Sequence, residues 1–563
     1  MLKLSKYKNI LTYFTVPDQN GRGYTIGPSG LQVGFKFQQN RSLTLIDALK
    51  CSAKLQKPIS IAIVGGGLAG LTAKLALHGV GLQSAVLFET RDDFLKTQGN
   101  AQHRFIHPSY NDWPLAEKFD ATTNFPFLNW YPERANSIIL SIKEQWEVFS
   151  QNLMGLRLAS HVNKVTVSKK SPTICLNVTN NTNAKAPDTK DEHFDLVIFA
   201  AGFGRELDTD KGNISSYWES DNVAKIRGTE SHSDPIIVSG IGDGGIIDVV
   251  RLHFREMHDR YDLAVKLISL CRHDIYSRAK LKSDEQEELN KKSNIEEAII
   301  ILEENARASL IGNEIRSKEE RKSKENEVSK ILYDGYTEVV ANFPAKVNKF
   351  LEGEAVVRQM ERQDIKLVGS LDYPFTTATA PINKLLLAYL MYKKPKLYIK
   401  GRTRIASRTI ETWETVLGPY STKATFILRH GGKPPIYNWS RHLELRYQFI
   451  DKQFGEFNDG SPLATNFCAE MPTLASQDRT SRIYLKYLDS LVSVFAMKYF
   501  GTEFTTNLSR ETKYIYFTFD ELSPSFVRAH GKINGFLGGF PREIFGIPLY
   551  SEEPSRADLA MGD

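Results

Sequence analysis

Residues 58–89 read PISIAIVGGGLAGLTAKLALHGVGLQSAVLFE. The run 59–64 is short and almost wholly apolar, the pattern of a parallel strand covered on both faces. Gly65, Gly67 and Gly70 follow directly with G-x-G-x-x-G spacing. In that pattern the first glycine permits a tight turn, the second lets backbone approach a pyrophosphate, and the third lets a helix pack closely on the strand. The helix that opens at Leu68 and Ala69 presents free N–H groups to phosphates. Its Leu68, Leu71 and Leu75 share one face. Residues 84–88 read as the next strand, and Glu89 closes it 19 residues after Gly70, near the roughly 20 expected of an acid that binds a ribose 2′-hydroxyl. An acid there disfavours a 2′-phosphate, so the turn is read as a site for FAD or NAD rather than NADP.

The length of 563 residues predicts two or three domains. We divide the chain into an N-terminal extension packed on the flavin domain (1–57), a Rossmann-like FAD/NAD(P)-binding domain (58–275), a charged helical segment (276–345) and an α+β substrate or cap region (346–563). The expected class is α/β, a parallel-sheet nucleotide domain with a large, mostly helical α+β C-terminal region. The 72 basic and 66 acidic residues leave a net charge of +6, which does not imply a nucleic-acid partner. Cys51, Cys175, Cys271 and Cys468 are far apart and form no C-x-x-C pair, so neither a zinc site nor a local redox disulfide is signalled, and no metal is expected. The first residues lack a signal peptide's apolar core, and no apolar run reaches the ~18–20 residues of a membrane span. A cytoplasmic protein without membrane contact is the resulting expectation; oligomeric state is not indicated.

In chain order, 31–37 alternates like a strand and 42–55 reads as an amphipathic helix capped by Ser42. Gln38, Gln39 and Arg41 precede that helix, as cofactor contacts or as ordinary loop polarity. Arg91, two residues past the acid, could stack on adenine, meet the diphosphate, or be a surface charge. His103, Arg104, His107, Tyr110, Asn111, Trp113, Asn129 and Trp130 fall in one region broken by Pro108, Pro114, Pro126 and Pro132. Proline excludes regular helix there, and such loops commonly build sites; packing of a loop on the core is the plain alternative. Residues 162–168 and 173–178 read as a hairpin. FDLVIFA at 194–200 is another buried strand, ending in Ala201 and Gly202. Residues 236–239 then run into GIGDGGIID. Either Gly240, Gly242 and Gly245 cradle a second nucleotide, or Asp243 accepts hydrogen bonds from the hydroxyls of a flavin's ribityl chain.

GGGLAGL with Glu89, FDLVIFAAGFG and IIVSGIGDGG together resemble the three sequential motifs of the FAD/NAD(P)-binding flavoprotein superfamily, the glutathione-reductase-like group that includes flavin monooxygenases and amine oxidases. The resemblance implies that Gly65, Gly67, Gly70 and Glu89 hold the ADP half of FAD, that Gly202 lines the cofactor near the diphosphate, and that Gly242 and Asp243 meet the ribityl chain. The chain departs from the pattern in carrying Ala201 where threonine is usual. It shows no separate NAD(P) domain between the first and second motifs.

Beyond 248 the pattern is helical to 271, then rich in Glu, Lys and Ser to 330, as helices with wide solvated faces. Residues 365–369, 396–400 and 425–428 read as strands and 382–391 as a helix opened by Pro381. Arg429, His430 and Gly431 resemble the phosphohistidine turn of histidine phosphatases, but Lys433 stands where a second arginine belongs and no His-Asp or His-Glu follows. Aromatic-rich stretches at 481–500 and a Gly-rich tail at 531–546 complete the chain. The expected function is a FAD-dependent oxidoreductase acting on a small molecule, in which His103, Arg104, His107 and Trp113 neighbour the flavin. A histidine there could move protons near neutral pH. NAD(P)H-dependent flavin monooxygenation, with NAD(P)H at Gly240–Gly245, is one alternative; a FAD- or NAD-binding sensor without turnover is the other.

Overall fold

The computed structural model describes residues 10–254 with interruptions, the longest at 205–216, then 263–271, 294–309, 318–354 and 364–401; beyond these it describes short segments between 404 and 439 and four strands between 505 and 550. The readings made for 276–293, 430–433 and 481–500, and most of the glycine-rich tail, lie outside the described residues.

Two parallel sheets of the same topology carry the two glycine turns. The first begins with β1 (Gly23–Thr25), followed by α1 (Phe35–Cys51), β2 (Ile61–Val64), α2 (Leu68–Gly79) and β3 (Val86–Phe88). After α3 (Ala135–Ser150) come β4 (Leu156–Arg157), an antiparallel meander of β5 (Ser160–Val167), β6 (Ile174–Asn180) and β7 (Asp188–Phe194), and then β8 (Leu196–Phe199). The sheet order is β1-β8-β2-β3-β4, all parallel. Both faces are covered, which is why β2 and β8 are apolar throughout and fully buried.

The sequence reading placed a strand across 31–37; α1 already runs from Phe35, and Ser42 lies inside it instead of capping it. Alternation at Leu31, Val33, Phe35 and Phe37 was too short to separate the two periods. The side chain of Ser42 donates to the Ala69 carbonyl of α2 at 2.8 Å, so α1 packs on α2. The N-terminal segment therefore does more than cover the first unit: β1 is its fifth strand, with Gly23 opposite Val197 and Thr25 opposite Phe199. The expected hairpin gains a third strand, β7, whose residues are polar except Phe194 and so carry no strand signal in the sequence.

The second sheet starts at β9 (Ile236–Ser239), followed by α4 (Asp243–His253). Among the described residues four helices then intervene: α5 (Leu263–Cys271), α6 (Asn294–Ala308), α7 (Lys318–Ala341) and α8 (Ala345–Glu354). β10 (Ile365–Gly369), α9 (Pro381–Lys393), β11 (Tyr398–Lys400) and β12 (Thr425–Leu428) complete the unit. Its order is β11-β10-β9-β12, all parallel. Numbered by appearance this is 3-2-1-4. Setting β1 aside, the first sheet reads 3-2-1-4 as well, the order of a mononucleotide-binding half. The division expected at 275 falls inside this second unit, because β9 pairs with a strand that lies beyond the helical insertion.

The inserted helices are charged outside but anchored inside. Val328, Leu332, Tyr336 and Val340 form the buried stripe of α7 and share one core with Ile246, Val249 and Leu386. Within that core Lys384 of α9 forms an ion pair with Glu303 of α6, both fully buried. Tyr336 donates to Glu303 at 2.6 Å and Lys384 to the Thr376 carbonyl at 3.2 Å. Removing one partner of such a pair strands a charge, at a cost of about 3–5 kcal/mol. Lys384→Met is expected to destabilise the protein by that amount in urea unfolding, and adding Glu303→Leu is expected to restore most of it. A single variant as stable as the wild type would show that the pair does not anchor the insertion.

Candidate functional site

In the first cradle, Gly65 sits at φ +115, and a Cβ there would collide with the Ala200 carbonyl at the end of β8. Gly70 abuts the Gly65 carbonyl just as closely. Gly67, between them, has open space where a Cβ would point, and it is the extended residue from which α2 begins. The turn is thus packed tightly behind and open in front, the shape needed for backbone N–H groups to reach a phosphate. Leu68 and Ala69 are buried in the first turn of α2. Glu89 follows β3 and is fixed by backbone: Oε2 accepts from the Gly66 N–H at 2.6 Å and Oε1 from the Arg91 N–H at 2.8 Å. Arg91 thereby orients the acid through its main chain. Gly202 lies just past β8 at φ +68, also facing open space.

The second cradle repeats this geometry. Gly240 sits at φ +124 against the Arg429 carbonyl at the end of β12, Gly245 abuts the Gly240 carbonyl, and Gly242 faces open space. Gly67 and Gly242 have φ, ψ of −75°, 177° and −77°, 175°. The strand registers match too, since Gly65 donates to the Phe88 carbonyl and Gly240 to that of Val368. Gly240 therefore corresponds to Gly65, Arg429 to Ala200, and Gly369 to Glu89. Arg429 thus follows the fourth strand of this unit, as Ala200 follows β8 in the first; His430 and Gly431 lie outside the described residues.

Of the two readings of GIGDGG, this geometry is that of the second cradle. Asp243 belongs to a different sheet from Gly65, and its Oδ1 accepts from the Ala380 N–H at 2.9 Å and from Asn383 at 2.8 Å. Burial raises its carboxyl pKa, opposed by those two hydrogen bonds and by Lys384. It joins α4 to the start of α9. Spacing alone could not show this, because the β10 strand that pairs with β9 lies past the whole helical insertion.

Of the four side chains expected beside a flavin, Arg104 and Trp113 reach from the first unit to helices of the second. Arg104 is 3% exposed; its Nε donates to the Tyr217 carbonyl at 2.9 Å and its Nη1 to Asp248 of α4 at 2.7 Å. His103 contacts the same Tyr217 carbonyl at 3.2 Å. Burial, aided by Arg104, pushes its pKa down to about 4, so it is neutral at pH 7 and does not titrate near neutrality as the sequence reading supposed. His107 is buried and its Nδ1 accepts from the Ser109 N–H at 3.1 Å. Trp113 donates to Glu296 of α6 at 2.6 Å, and Tyr110 to Asn383 of α9 at 2.6 Å. Both rings belong to the core of the second unit. Gln38, Gln39 and Arg41, expected before the helix, lie inside α1, and Gln39 is buried between the Leu128 carbonyl and Trp130. Asn129 and Trp130 pack that same loop, Asn129 bridging Phe125 and Thr123.

Sequence reasoning missed Asp248 and Tyr217, and read Arg429 only within the Arg-His-Gly run. Asp248 is fully buried, with Arg104 on Oδ1 and Arg429 on Oδ2, the latter at 2.8 Å. Burial alone would raise its pKa, but the two arginines outweigh it and hold it at about 2. The available signal was a charge at the inward-facing position of a fingerprint helix, where the first unit has Ala73. Among the described residues no group of three or more His, Cys, Asp or Glu could hold a metal ion, and no helix is long and apolar enough to cross a membrane.

No protein-family model and no curated protein matches the chain. Among solved structures it is similar to a polycyclic ketone monooxygenase from the thermophilic fungus Thermothelomyces thermophila, at 13% identity over 80% of this chain and 74% of that one, with a TM-score of 0.34. It is similar also to OTEMO in complex with FAD and NADP (11%, 85% and 89%, TM-score 0.33) and to cyclohexanone monooxygenase bound to ε-caprolactone (10%, 78% and 93%, TM-score 0.32). Likeness this slight carries no argument about activity. The fold class, α/β with parallel Rossmann-like sheets, stands on the strand order and register described above.

Proposed function

We propose that the chain is an NAD(P)H-dependent flavin oxidoreductase of the monooxygenase type, with FAD in the first cradle and a nicotinamide dinucleotide in the second. The observation that carries this reading is the duplication: two 3-2-1-4 sheets, each with an open glycine turn at the start of its first helix. Bound FAD would supply hydride and dioxygen chemistry. The chain's part is to bind, orient and shield. Gly65, Gly67 and Gly70 would present N–H groups to the FAD diphosphate, Glu89 would accept from ribose hydroxyls, and Gly202 would leave room at the diphosphate edge. Gly240, Gly242 and Gly245 would serve the second dinucleotide.

The two cradles differ where adenosine ribose would lie. Glu89 reaches its place because its neighbour is Gly66; in the second unit Ile241 stands for Gly66 and Gly369 for Glu89. A Cβ on Gly369 would run into Ile241 and the Tyr398 hydroxyl, so no side chain fits there. No carboxylate at that position opposes a 2′-phosphate, and Lys400, paired with Asp372, is a cation among the described residues on that edge. The second cradle thus favours NADPH over NADH. The expected preference is on the order of tenfold in kcat/KM, comparable to one charge-assisted contact.

The test is the purified protein's visible spectrum. Flavin bands that NADPH bleaches anaerobically, faster than NADH does, support the proposal; dioxygen uptake on readmitting air would follow. Colourless protein that takes up no added FAD would sink it, and equal use of both nicotinamides would remove the Gly369 argument alone.

A further inference from the structure

Arg104 is carried by the first unit, between β3 and α3, yet its guanidinium is spent on the second. It stacks on Tyr217, with Cζ 3.5 Å from the ring centroid, while binding the Tyr217 carbonyl and Asp248. Tyr217 lies directly behind Gly244 of the second cradle, 3.0 Å from where a Cβ would be. On its other side Trp218 meets it edge-on at 5.1 Å and stacks on Phe35 of α1 at 5.9 Å. Phe35 opens the helix that Ser42 ties to α2 of the first cradle. An unbroken line of contacts thus runs from one glycine turn to the other, and Arg104 crosses it where the units meet.

The charges around this crossing are Asp248 with Arg104 and Arg429, and Arg251 with Asp221 at 2.7 Å. Asp248 sits on the fingerprint helix of the second cradle, one turn inside its N-terminus, and the far side of the same carboxylate is held by the residue that ends β12. Arg104 therefore grips the second cradle at both its helix and, through Asp248, its neighbouring strand. The fork of guanidinium donors does this in one plane; a lysine keeps the charge but cannot make the same pair of bonds and the stack.

We propose that Arg104 is a positioning residue that holds the two nucleotide cradles in fixed relation, so that a hydride can pass between their ligands. The inference rests on the two-nucleotide reading above. In the step it serves, one hydride with its two electrons leaves the dihydronicotinamide, which is oxidised, and enters the flavin, which is reduced. Arg104 touches neither reacting atom; misplacement by about 1 Å can cost on the order of 100-fold in rate.

The experiment compares the full chain with Arg104→Met and Arg104→Lys in two measurements. Calorimetry without nucleotides is expected to show one unfolding transition for the wild type and Arg104→Lys, and two for Arg104→Met. Anaerobic stopped flow with NADPH is expected to show the saturating rate of flavin reduction falling about 10- to 100-fold in Arg104→Met, with flavin content and the half-saturating NADPH concentration little changed, and partly recovered in Arg104→Lys. A reduction rate in Arg104→Met equal to that of the wild type, or a single unchanged transition, would overturn the proposal. So would loss of flavin and NADPH binding together with the rate, which marks a general folding defect. A wild type that binds no flavin or is not reduced by NADPH is a different failure: it removes the two-nucleotide reading before any variant is examined.

Discussion

Replacing Gly67 with tryptophan is expected to strip flavin from the protein and leave it folded. The backbone at Gly67 is extended, a conformation any residue adopts, and its missing Cβ points into open space. An indole there meets no protein atom at its base; it fills the volume that a pyrophosphate would take at the start of α2. FAD affinity is expected to fall by at least about 100-fold, equivalent to about 2.7 kcal/mol of lost ligand stabilisation at ordinary loading. The yellow colour should disappear on purification, and the melting temperature should match that of the flavin-free wild type. Gly70 is a poorer probe, since any side chain there strikes the Gly65 carbonyl and damages the fold itself. A Gly67→Trp protein that keeps its flavin would place the cofactor elsewhere.

The matching change in the second unit, Gly242→Trp, is expected to give a protein that stays yellow and can be bleached by dithionite but not by NADPH. Gly242 has the same extended backbone and the same open space in front, so the substitution should block the second nucleotide with the fold preserved. The rate of anaerobic reduction by NADPH is expected to fall at least about 100-fold, as for a lost diphosphate site. This variant also separates the two readings of GIGDGG. Were Asp243 the holder of a ribityl chain, an indole beside it would expel flavin, and the protein would be colourless. Retained flavin with blocked reduction is the outcome that fits a cradle on its own sheet.

How much of this was legible in the sequence can be argued element by element. The first cradle was, because every part of it is local: strand, glycines, helix, strand and acid all fall within 58–89. The strands 236–239 and 425–428 were found at their ends, since buried parallel strands are short apolar runs bounded by glycine or charge. Their partnership was not legible. Register between β9 and β12 is set by hydrogen bonds across a helical insertion, and nothing in either run names the other. Arg429 accordingly read as part of an isolated motif when it follows β12, and that Asp243 ties α4 to α9 was not visible in GIGDGG. The loop around His103 and Trp113 was recognised as unusual from its prolines and aromatics. That its side chains face the second unit's core was beyond local pattern, since the acceptors, Asp248, Glu296 and Asn383, lie far down the chain.

The fifth strand of the first sheet has a consequence for how the chain is made. Of the strands in this sheet β1 is made first, but its pairing partner, β8, is made last. Gly23 must wait for Val197, a contact of high sequence separation that delays closure. Until then the β2 edge that β8 will cover is open to other strands. The first sheet thus closes late in its synthesis, whereas the meander 160–194, built of neighbours in sequence, can form as it appears.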